Sequence, residues 1–380
     1  MTKKERIFTA IKRKEVDRIP TTYRGGKNIS AALMKYLNIE DYKRPERNYK
    51  KVQEKLGADF WASGSKLGKF SIFIPEYTGP SPEAPYIKDG AMFYTIGINS
   101  KAGRIDTFDY DFEVYGYEPP LASCESAHDI KEGFLTSKLD LFDFTSMKNR
   151  YDDDYLSYEH LKTDGDSIIC IGALTYLFMM CSYLRGMEQF LMDLYANRGL
   201  AERLIAEVGE FSLEFCRREL EAFGDKAEYY GTWDDVAGQN GILFDPDLFK
   251  RYFIPIYKRL IDQVKHWNLP FGWHCCGSVH EVLPSMIDAG IDVFDVVQTS
   301  AREMDLETIY AKYGGDVCIH GGIDVQALLV NGKPDDIKAE VKKVRDLWGT
   351  RGGVILAPSH EIVPDTPIDN VLAIYETHPL

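Results

Sequence analysis

The sequence lacks several features that would each identify a class of protein. It has no excess of basic residues, because 59 acidic against 45 basic side chains give a formal net charge of −14. This charge argues against binding to the phosphate backbone of nucleic acids. No apolar run reaches transmembrane length, and the amphipathic segment after Met1 does not have the pattern of a secretory signal peptide. We therefore expect a cytoplasmic protein that binds neither nucleic acid nor a membrane.

Disulfide and nucleotide-binding patterns are missing as well. The seven cysteines are odd in number and show no framework spacing, which indicates a reducing compartment. No Gly-x-Gly-x-x-Gly follows an early strand pattern, which counts against a dinucleotide-binding doubly wound sheet. What is present is the composition of an ordinary globular enzyme, with 44% hydrophobic and 27% charged residues.

Short apolar runs alternate with helical patterns along most of the chain. Eight runs have the character of buried strands, at 21–24, 57–64, 167–172, 227–233, 271–274, 293–297, 317–320 and 353–357. The segments between them include helical patterns at 3–14, 46–56, 176–194, 201–223, 247–267 and 335–349. Eight strand–helix units predict a (β/α)8 TIM barrel that spans residues 1–380 as one domain. A doubly wound open sheet is the alternative.

One segment departs from this alternation. Residues 75–120 begin with a cluster of Pro and Gly and continue with two runs, 91–97 and 103–108, that indicate a β-hairpin. We predict that this segment is an insertion over one end of the barrel. The acidic segment that follows, 121–160, is predicted to be helical or irregular.

His274 and Cys276 form a candidate pair of metal ligands at the end of a predicted strand. Side chains two residues apart on a strand leave the same face, and imidazole and thiolate are good ligands for Zn²⁺. Cys275 points the other way on this interpretation. The alternative is that these are ordinary core residues, and a catalytic site needs a third ligand from elsewhere.

Polar side chains follow four of the predicted strands, where the active site of a (β/α)8 barrel lies. They are Asp234 and Asp235, His274 and Cys276, His320 and Asp324, and His360 and Glu361. Strands five and eight face each other across a barrel mouth, so we predict His360 as the third metal ligand, with Glu361 as its rival. Asp235 and Asp324 have an alternative explanation as helix caps.

The order of several short motifs resembles the uroporphyrinogen decarboxylase superfamily, and the resemblance covers nearly the whole chain. The motifs are Lys4-Glu-Arg-Ile-Phe-Thr-Ala-Ile, Val16-Asp-Arg-Ile-Pro, Pro119-Pro-Leu, Gly172-Ala-Leu-Thr, Trp233-Asp-Asp-Val-Ala, Gly321-Gly-Ile-Asp and Pro367-Ile-Asp-Asn-Val. This resemblance implies a (β/α)8 barrel, in agreement with the strand count.

Within the superfamily, the residues resemble the branch of cobalamin (corrinoid)-dependent methyltransferases. The decarboxylases carry an Arg-rich motif, Met-Arg-Gln-Ala-Gly-Arg, that grips substrate carboxylates, whereas this chain has Thr22-Tyr-Arg-Gly-Gly-Lys27. The methyltransferases bind zinc through His-x-Cys, which His274 and Cys276 match, and through a late Cys, where this chain has His360. The resemblance therefore implies zinc, with a substrate that differs from that of the thiol-activating members.

The resemblance also implies a corrinoid as the methyl acceptor. Because no Asp-x-His-x-x-Gly motif is present, we expect the corrinoid on a partner protein that docks at the barrel mouth. A zinc with one thiolate ligand keeps more positive charge than a zinc with two, which favours activation of the methyl donor over activation of a thiol. Asp234, Asp235 or Glu361 are then candidates to donate a proton or to position the substrate.

The identity of the donor and several other functions stay open. An aromatic content of 13% suits a methoxylated aromatic donor, and a methylamine or a betaine is an alternative. A decarboxylating lyase without metal, a thiol (coenzyme M) methyltransferase and a scaffold for a corrinoid protein are the other functions. The sequence leaves the oligomeric state open, and a homodimer is one possibility.

Overall fold

The computed structural model describes residues 1–59 apart from 41, 43 and 44, residues 70–79 and 119–149, Tyr158, Lys162, and residues 167–376 apart from 173. Over these residues the protein is a mixed α/β fold in which helices pack on a largely parallel sheet. The α/β class that the sequence predicts is thereby confirmed. The sheet forms a parallel half-barrel, with a short antiparallel extension at one edge.

Eight strands form the main sheet, in the order β10-β9-β8-β7-β4-β3-β1-β2. They are β1 (Phe70–Tyr77), β2 (Phe142–Asn149), β3 (Ile168–Ile171), β4 (Tyr229–Trp233), β7 (Phe271–His274), β8 (Val293–Val297), β9 (Cys318–Ile323) and β10 (Val354–Pro358). A separate two-stranded sheet consists of β5 (Ala237–Gly238) and β6 (Gly241–Ile242). At its β10 edge, the main sheet gains isolated parallel bridges from Thr21 to Leu356 and from Gly25 to Ile362.

The helices pack around this sheet. They are α1 (Lys3–Ile11), α2 (Lys27–Tyr36), α3 (Pro45–Lys55), α4 (Phe178–Arg185), α5 (Met187–Ala196), α6 (Arg198–Phe223), α7 (Pro246–Tyr252), α8 (Ile254–His266), α9 (Leu283–Ala289), α10 (Leu306–Tyr313), α11 (Leu328–Asn331), α12 (Pro334–Trp348) and α13 (Ile368–Tyr375). Among the helices that the structure describes, none is long and apolar enough to cross a membrane.

Two of the predicted helices are each divided in two. The pattern at 176–194 is interrupted at Gly186, whose φ of +87° ends α4 before α5 begins. The pattern at 247–267 is interrupted between α7 and α8, because Pro255 in the first turn of α8 has no N–H to donate to the preceding turn. The apolar spacing continues across both breaks, so the sequence pattern alone does not reveal them.

The N-terminal strands also differ from the prediction. Residues 57–59 form no strand, 60–64 lie outside the described residues, and the parallel neighbour of β3 on the side away from β4 is β1. The predicted insertion at 75–120 therefore overlaps the end of β1, and its hairpin lies outside the described residues. Residues 142–149, predicted to be helical or irregular, form β2, and apolar and polar residues alternate over its first four positions, Phe142 to Thr145, as on a half-buried strand.

The inner face of the half-barrel has an apolar layer at its base and a polar layer above it. An apolar cluster fills its lower part, formed with α1 by alternate residues of five strands: Ile168, Cys170, Tyr229, Val293, Cys318 and Ile355. Gly272 leaves room for it, because an added Cβ would lie 1.5 Å from the hydroxyl oxygen of Tyr229. Two residues further along β8 and β9, the same face carries Asp295 and His320. The carboxyl ends of the strands therefore form a polar layer above an apolar base.

Candidate metal centre

Three predicted metal ligands meet above this polar layer. One ligand atom from each of His274, Cys276 and His360 lies within 4.8 Å of the other two, and all three residues are partly buried. The Sγ of Cys276 is 3.6 Å from Nε2 of His274. Tetrahedral zinc, with bonds of about 2.0 Å to nitrogen and 2.3 Å to sulfur, places such atoms roughly 3.6 Å apart. The donor set and the spacing of Cys276 from His274 therefore fit a zinc ion.

Cys276 reaches this position from a loop, not from a strand, because β7 ends at His274. Its backbone N–H donates to Oδ1 of Asp235 at 2.8 Å, and the N–H of Gly277 donates to Oε1 of Gln298 at 2.8 Å. Gly277 has φ +85°, and an added Cβ would lie 2.6 Å from the carbonyl oxygen of Gly238, so the loop can dock on β5 only with glycine here. Cys275 is fully buried in the core and lies outside the cluster of ligand atoms.

His360 enters the cluster from the end of β10, which is separated from β7 by β9 and β8. The flanking backbone is fixed by two hydrogen bonds, from Ser359 N–H to the Ile323 carbonyl at 2.7 Å and from Ile362 N–H to the Arg24 carbonyl at 2.8 Å. Burial lowers the pKa of His360 to about 4, and the positive charges of His274 and Arg24 act in the same direction. Its imidazole is therefore neutral at neutral pH and retains a nitrogen lone pair.

Asp295, to which the sequence analysis gave no role, orients His274 from below. Its Oδ2 lies 2.6 Å from Nδ1 of His274, and the carboxylate is buried with 3% exposure. Burial acts to lower the pKa of His274, but Cys276 and then Asp295 raise that pKa well above its usual range, so both ring nitrogens carry a proton when no metal is bound. The carboxylate keeps the proton on Nδ1, and a metal that displaces the proton on Nε2 would bind at that nitrogen, which is the usual support of a metal-binding histidine. Nε2 is the atom that faces Cys276.

Asp295 belongs to an ionic network with Arg24 and His320. Its Oδ1 pairs with the guanidinium of Arg24 and lies 2.9 Å from Nδ1 of His320. Burial alone would raise the pKa of Asp295, but Arg24 and then His320 hold that pKa well below its usual range. Burial lowers the pKa of His320 to about 4, and its Nε2 lies 2.8 Å from Oγ1 of Thr22. Asp295 is therefore a permanent anion at neutral pH.

The two candidate acids on β4 lie in different surroundings. Asp234 is fully buried, and its carboxylate accepts hydrogen bonds from the Tyr257 hydroxyl at 2.5 Å and from three backbone N–H groups at the start of α4. Burial raises its pKa to about 6. These contacts favour a structural role at the helix terminus. Asp235 is partly exposed, and its Oδ1 lies 4.0 Å from Nε2 of His274, so it is the acid beside the cluster.

The remaining predicted residues lie outside the cluster. Glu361 is buried with 6% exposure, and its negative charge acts with burial to raise the pKa of Tyr23. Asp324 accepts hydrogen bonds from the N–H groups of Ala327 and Leu328, each at 2.8 Å. It therefore caps the turn that begins α11, which was the alternative explanation for this residue.

A cleft of about 240 Å³ opens beside Cys276 and His360. Its other lining residues are small or carry amide and hydroxyl groups: Ala237, Gly238, Gln239, Gly277, Gln298, Val325, Gln326 and Ser359. The cluster is therefore reached from a narrow space without charged side chains among the described lining residues, apart from the candidate ligands themselves.

This fold and cluster define the class: a parallel α/β protein with a His–Cys–His cluster at the carboxyl ends of its strands. The sequence model described as "Uroporphyrinogen decarboxylase (URO-D)" matches residues 151–378, which is more than half of the chain. The chain belongs to the uroporphyrinogen decarboxylase family, and the resemblance in its motifs is confirmed.

Relatives in this family include methyltransferases and decarboxylases. The methylcobamide:CoM methyltransferase MtbA of Methanosarcina mazei is 24% identical over 212 residues, which are 56% of this chain and 58% of MtbA. The uroporphyrinogen decarboxylase of Crocosphaera subtropica is 27% identical over 185 residues, 48% of each chain. The matches thus span about half to three-fifths of the length of these relatives.

The fold has a similar solved structure, described as a methyltransferase from Methanosarcina mazei. It aligns with a TM-score of 0.62 at 19% sequence identity and covers 98% of this chain and 97% of that chain. At this identity the likeness concerns the fold alone.

Proposed function

We propose that the protein is a zinc-dependent methyltransferase that moves a methyl group from a small methylated donor to the Co(I) corrinoid of a partner protein. The observation that carries the proposal is the convergence of His274, Cys276 and His360, whose ligand atoms lie within 4.8 Å of one another. The activity named for the MtbA relatives supports a corrinoid reaction. The favoured donor is a methoxylated aromatic, and a methylamine or a betaine is the alternative.

The architecture that goes with this proposal is a single (β/α)8 barrel domain over residues 1–380. The parallel bridges that Thr21 and Gly25 make beyond β10 support an eighth parallel position next to the seven parallel strands of the main sheet. In such a barrel the cluster lies at the catalytic end of the strands.

The ligand set determines what a bound zinc contributes. Two neutral imidazoles and one thiolate leave a net charge of about +1 on a divalent ion, so the metal, when bound, acts as a Lewis acid that polarises the atom carrying the methyl group. Asp295 keeps the lone pair of His274 Nε2 directed at this site. Asp235, the partly exposed acid next to His274, is suited to position the donor or to protonate the departing oxygen.

The transfer is balanced as a displacement. For an ether donor, the bond between oxygen and methyl carbon breaks and both electrons stay on oxygen, which then takes up a proton. The carbon–cobalt bond forms from the electron pair of Co(I), which becomes methyl-Co(III). The reduced corrinoid is therefore the required co-reactant.

A decarboxylase acting on a polycarboxylate fits the described residues less well. Such a substrate requires several guanidinium groups directed at its carboxylates, whereas Arg24 is buried with 2% exposure and paired with Asp295. The thiol methyltransferase is the second candidate, because the MtbA relatives carry the name of a CoM methyltransferase. His360 separates the two methyltransferases, since a second thiolate in its place would lower the charge on the metal.

The direct test of this function uses a separate corrinoid protein in its reduced state. With zinc-loaded enzyme and methoxylated aromatics such as 2-methoxyphenol, we expect the spectrum of Co(I) to change to that of methyl-Co(III), and we expect no CO₂. Methyl transfer from methyl-Co(III) to coenzyme M under the same conditions would support the thiol methyltransferase instead. Release of CO₂ from a carboxylated substrate without corrinoid would contradict both.

His360→Cys should separate donor activation from simple metal binding. Because Cys is also a competent zinc ligand, we expect the variant to keep most of its zinc. Its added thiolate lowers the positive charge on the metal, so methyl transfer to Co(I) should slow by about tenfold. Zinc content by mass spectrometry and the rate of the cobalt spectral change measure the two effects.

The controls for this variant are His360→Ala and Glu361→Ala. His360→Ala should lose both zinc and methyl transfer, while Glu361→Ala should keep both if it folds. If His360→Ala behaves like the wild type and Glu361→Ala loses both properties, the third ligand is the carboxylate.

A further inference from the structure

An aromatic wall stands next to the candidate metal centre on the β4 side. Trp233 is the last residue of β4 and is paired in register with His274 of β7. Paired residues of parallel neighbours direct their side chains to the same face of the sheet. Trp233 also lies four residues after Tyr229, which belongs to the inner apolar cluster. The indole therefore faces the interior of the half-barrel, beside His274.

A second ring supports the indole from behind. The ring of Tyr176 packs on Trp233 with centroids 4.5 Å apart and an angle of 32° between the planes. Tyr176 is buried with 1% exposure, whereas Trp233 stays partly exposed. Tyr183 packs edge-on against Tyr176, with centroids 6.3 Å apart. The two tyrosine rings hold the indole in a fixed orientation, so that a flat ligand meets a preorganised surface.

The described part of the cleft beside Cys276 and His360 offers no aromatic surface. Among its described lining residues, none is Phe, Tyr or Trp. It presents amide groups from Gln239, Gln298 and Gln326. A ring that lies against an aromatic face close to His274 must therefore use Trp233, as far as the described residues show.

The chemistry of the centre distinguishes among ring-bearing and cationic donors. A quaternary ammonium is attracted by an indole face, but it has no lone pair to offer to an electrophilic centre, and its positive charge is repelled by such a centre. Methanol has lone pairs but no face to stack. An aryl methyl ether has both an oxygen lone pair and a flat ring, and these match the two features that lie side by side here.

We propose that Trp233, supported by Tyr176, is the specificity-determining face for the aryl ring of the methyl donor, and that the donor is an aryl methyl ether. This proposal rests on the methyl-transfer function proposed above. The ring stacks on the indole while the ether oxygen lies towards the His274–Cys276–His360 cluster. Asp235, two residues after Trp233 and 4.0 Å from the His274 imidazole, lies where the leaving oxygen is released.

Calorimetric binding of 2-methoxyphenol to the zinc-loaded enzyme, without corrinoid, tests the role of Trp233. Stacking contributes about a tenfold gain in affinity, so Trp233→Leu should raise the Kd by about tenfold. Trp233→Phe retains a ring face and should stay within about threefold of the wild type. Trp267→Phe, at the end of α8, should bind as the wild type does, and zinc content should be unchanged in all three variants.

Several outcomes would overturn the proposal. They are an unchanged Kd in Trp233→Leu, no binding of 2-methoxyphenol to the wild type, or displacement of 2-methoxyphenol by tetramethylammonium. If Trp233→Leu fails to fold, Trp233→Ala takes its place. The Kd of Trp233→Ala for 2-methoxyphenol should then be about tenfold above that of the wild type, while the Kd of Trp233→Phe should stay within about threefold.

The outcomes also separate this inference from the function on which it rests. Binding that depends on Trp233 without any methylation of reduced corrinoid would leave the ring site standing and refute the methyltransferase. Methylation of corrinoid by a donor whose binding and KM do not depend on Trp233 would refute the ring site and leave the methyltransferase standing.

Discussion

Cys276→Ala should abolish stoichiometric zinc binding and, with it, methyl transfer. Zinc sites with protein ligands have binding free energies of about 10–16 kcal/mol, and the loss of one ligand removes roughly a quarter of that, about 3 kcal/mol. This corresponds to an affinity on the order of 100-fold weaker. Because Cys276 supplies the only thiolate of the cluster, the remaining imidazoles would hold the metal weakly. Zinc content after dialysis against a chelator measures the effect.

Cys275→Ala is the matched control for this variant. The two cysteines are adjacent, but Cys275 is fully buried in the core and lies outside the cluster. The control should therefore keep one zinc per chain and lose only a modest amount of stability from the small cavity. Equal zinc content in the two alanine variants would remove the site as described.

Asp295→Asn should produce the other large effect. The amide can direct its N–H at Nδ1 of His274, which moves the imidazole proton to Nε2 and blocks the atom that faces Cys276. Loss of such a supporting carboxylate typically costs about 10–100-fold in metal affinity. The buried guanidinium of Arg24 also loses its anionic partner, which should lower the free energy of unfolding by about 3–5 kcal/mol.

Two measurements and one control test this variant. Zinc affinity is measured by competition with a chromophoric chelator, and stability by urea unfolding of the metal-free protein. The control is Asp292→Asn, which lies just before β8. The carboxylate of Asp292 accepts a hydrogen bond from the N–H of Phe271 at 2.6 Å, at the end of β7 opposite to His274. This control should leave zinc affinity unchanged. A zinc affinity of Asp295→Asn within about twofold of the wild type would contradict the supporting role of Asp295.

The central and C-terminal strands are predictable because they are short, apolar and buried. β4, β7, β8, β9 and β10 all lie where the apolar runs indicated them. β1 and β2 are not predicted, because Pro75 interrupts the apolar pattern of β1, and the consecutive polar residues Thr145 and Ser146 interrupt the alternation along β2. The two strands pair although their residues are about seventy positions apart in the sequence. The local periodicity of a sequence does not predict contacts between such distant residues.

The candidate ligands follow from the sequence, whereas their support does not. The two-residue spacing of His274 and Cys276 and the barrel end expected for His360 predict the cluster that the structure brings together. The pairing of Arg24 with Asp295 joins residues 271 positions apart. One local signal was available, since Asp295 is the only charged residue in the buried strand Val293–Val297.

The two aspartates on β4 show why a motif cannot assign roles to its members. Trp233-Asp234-Asp235 places two carboxylates side by side in the sequence, but consecutive residues leave a strand end in different directions. Asp234 therefore turns to the start of α4, and Asp235 stays next to His274. Only the fold determines which of them can meet a substrate.

The most direct test of the central claim is a crystal structure of the zinc-loaded protein with anomalous data collected at the zinc edge. We expect a single strong peak per chain, about 2.0–2.1 Å from Nε2 of His274 and from a ring nitrogen of His360, and about 2.3 Å from Sγ of Cys276. The fourth position should hold water or donor. A peak elsewhere, a peak held by Glu361 in place of His360, or no peak in protein with full zinc occupancy would contradict this account.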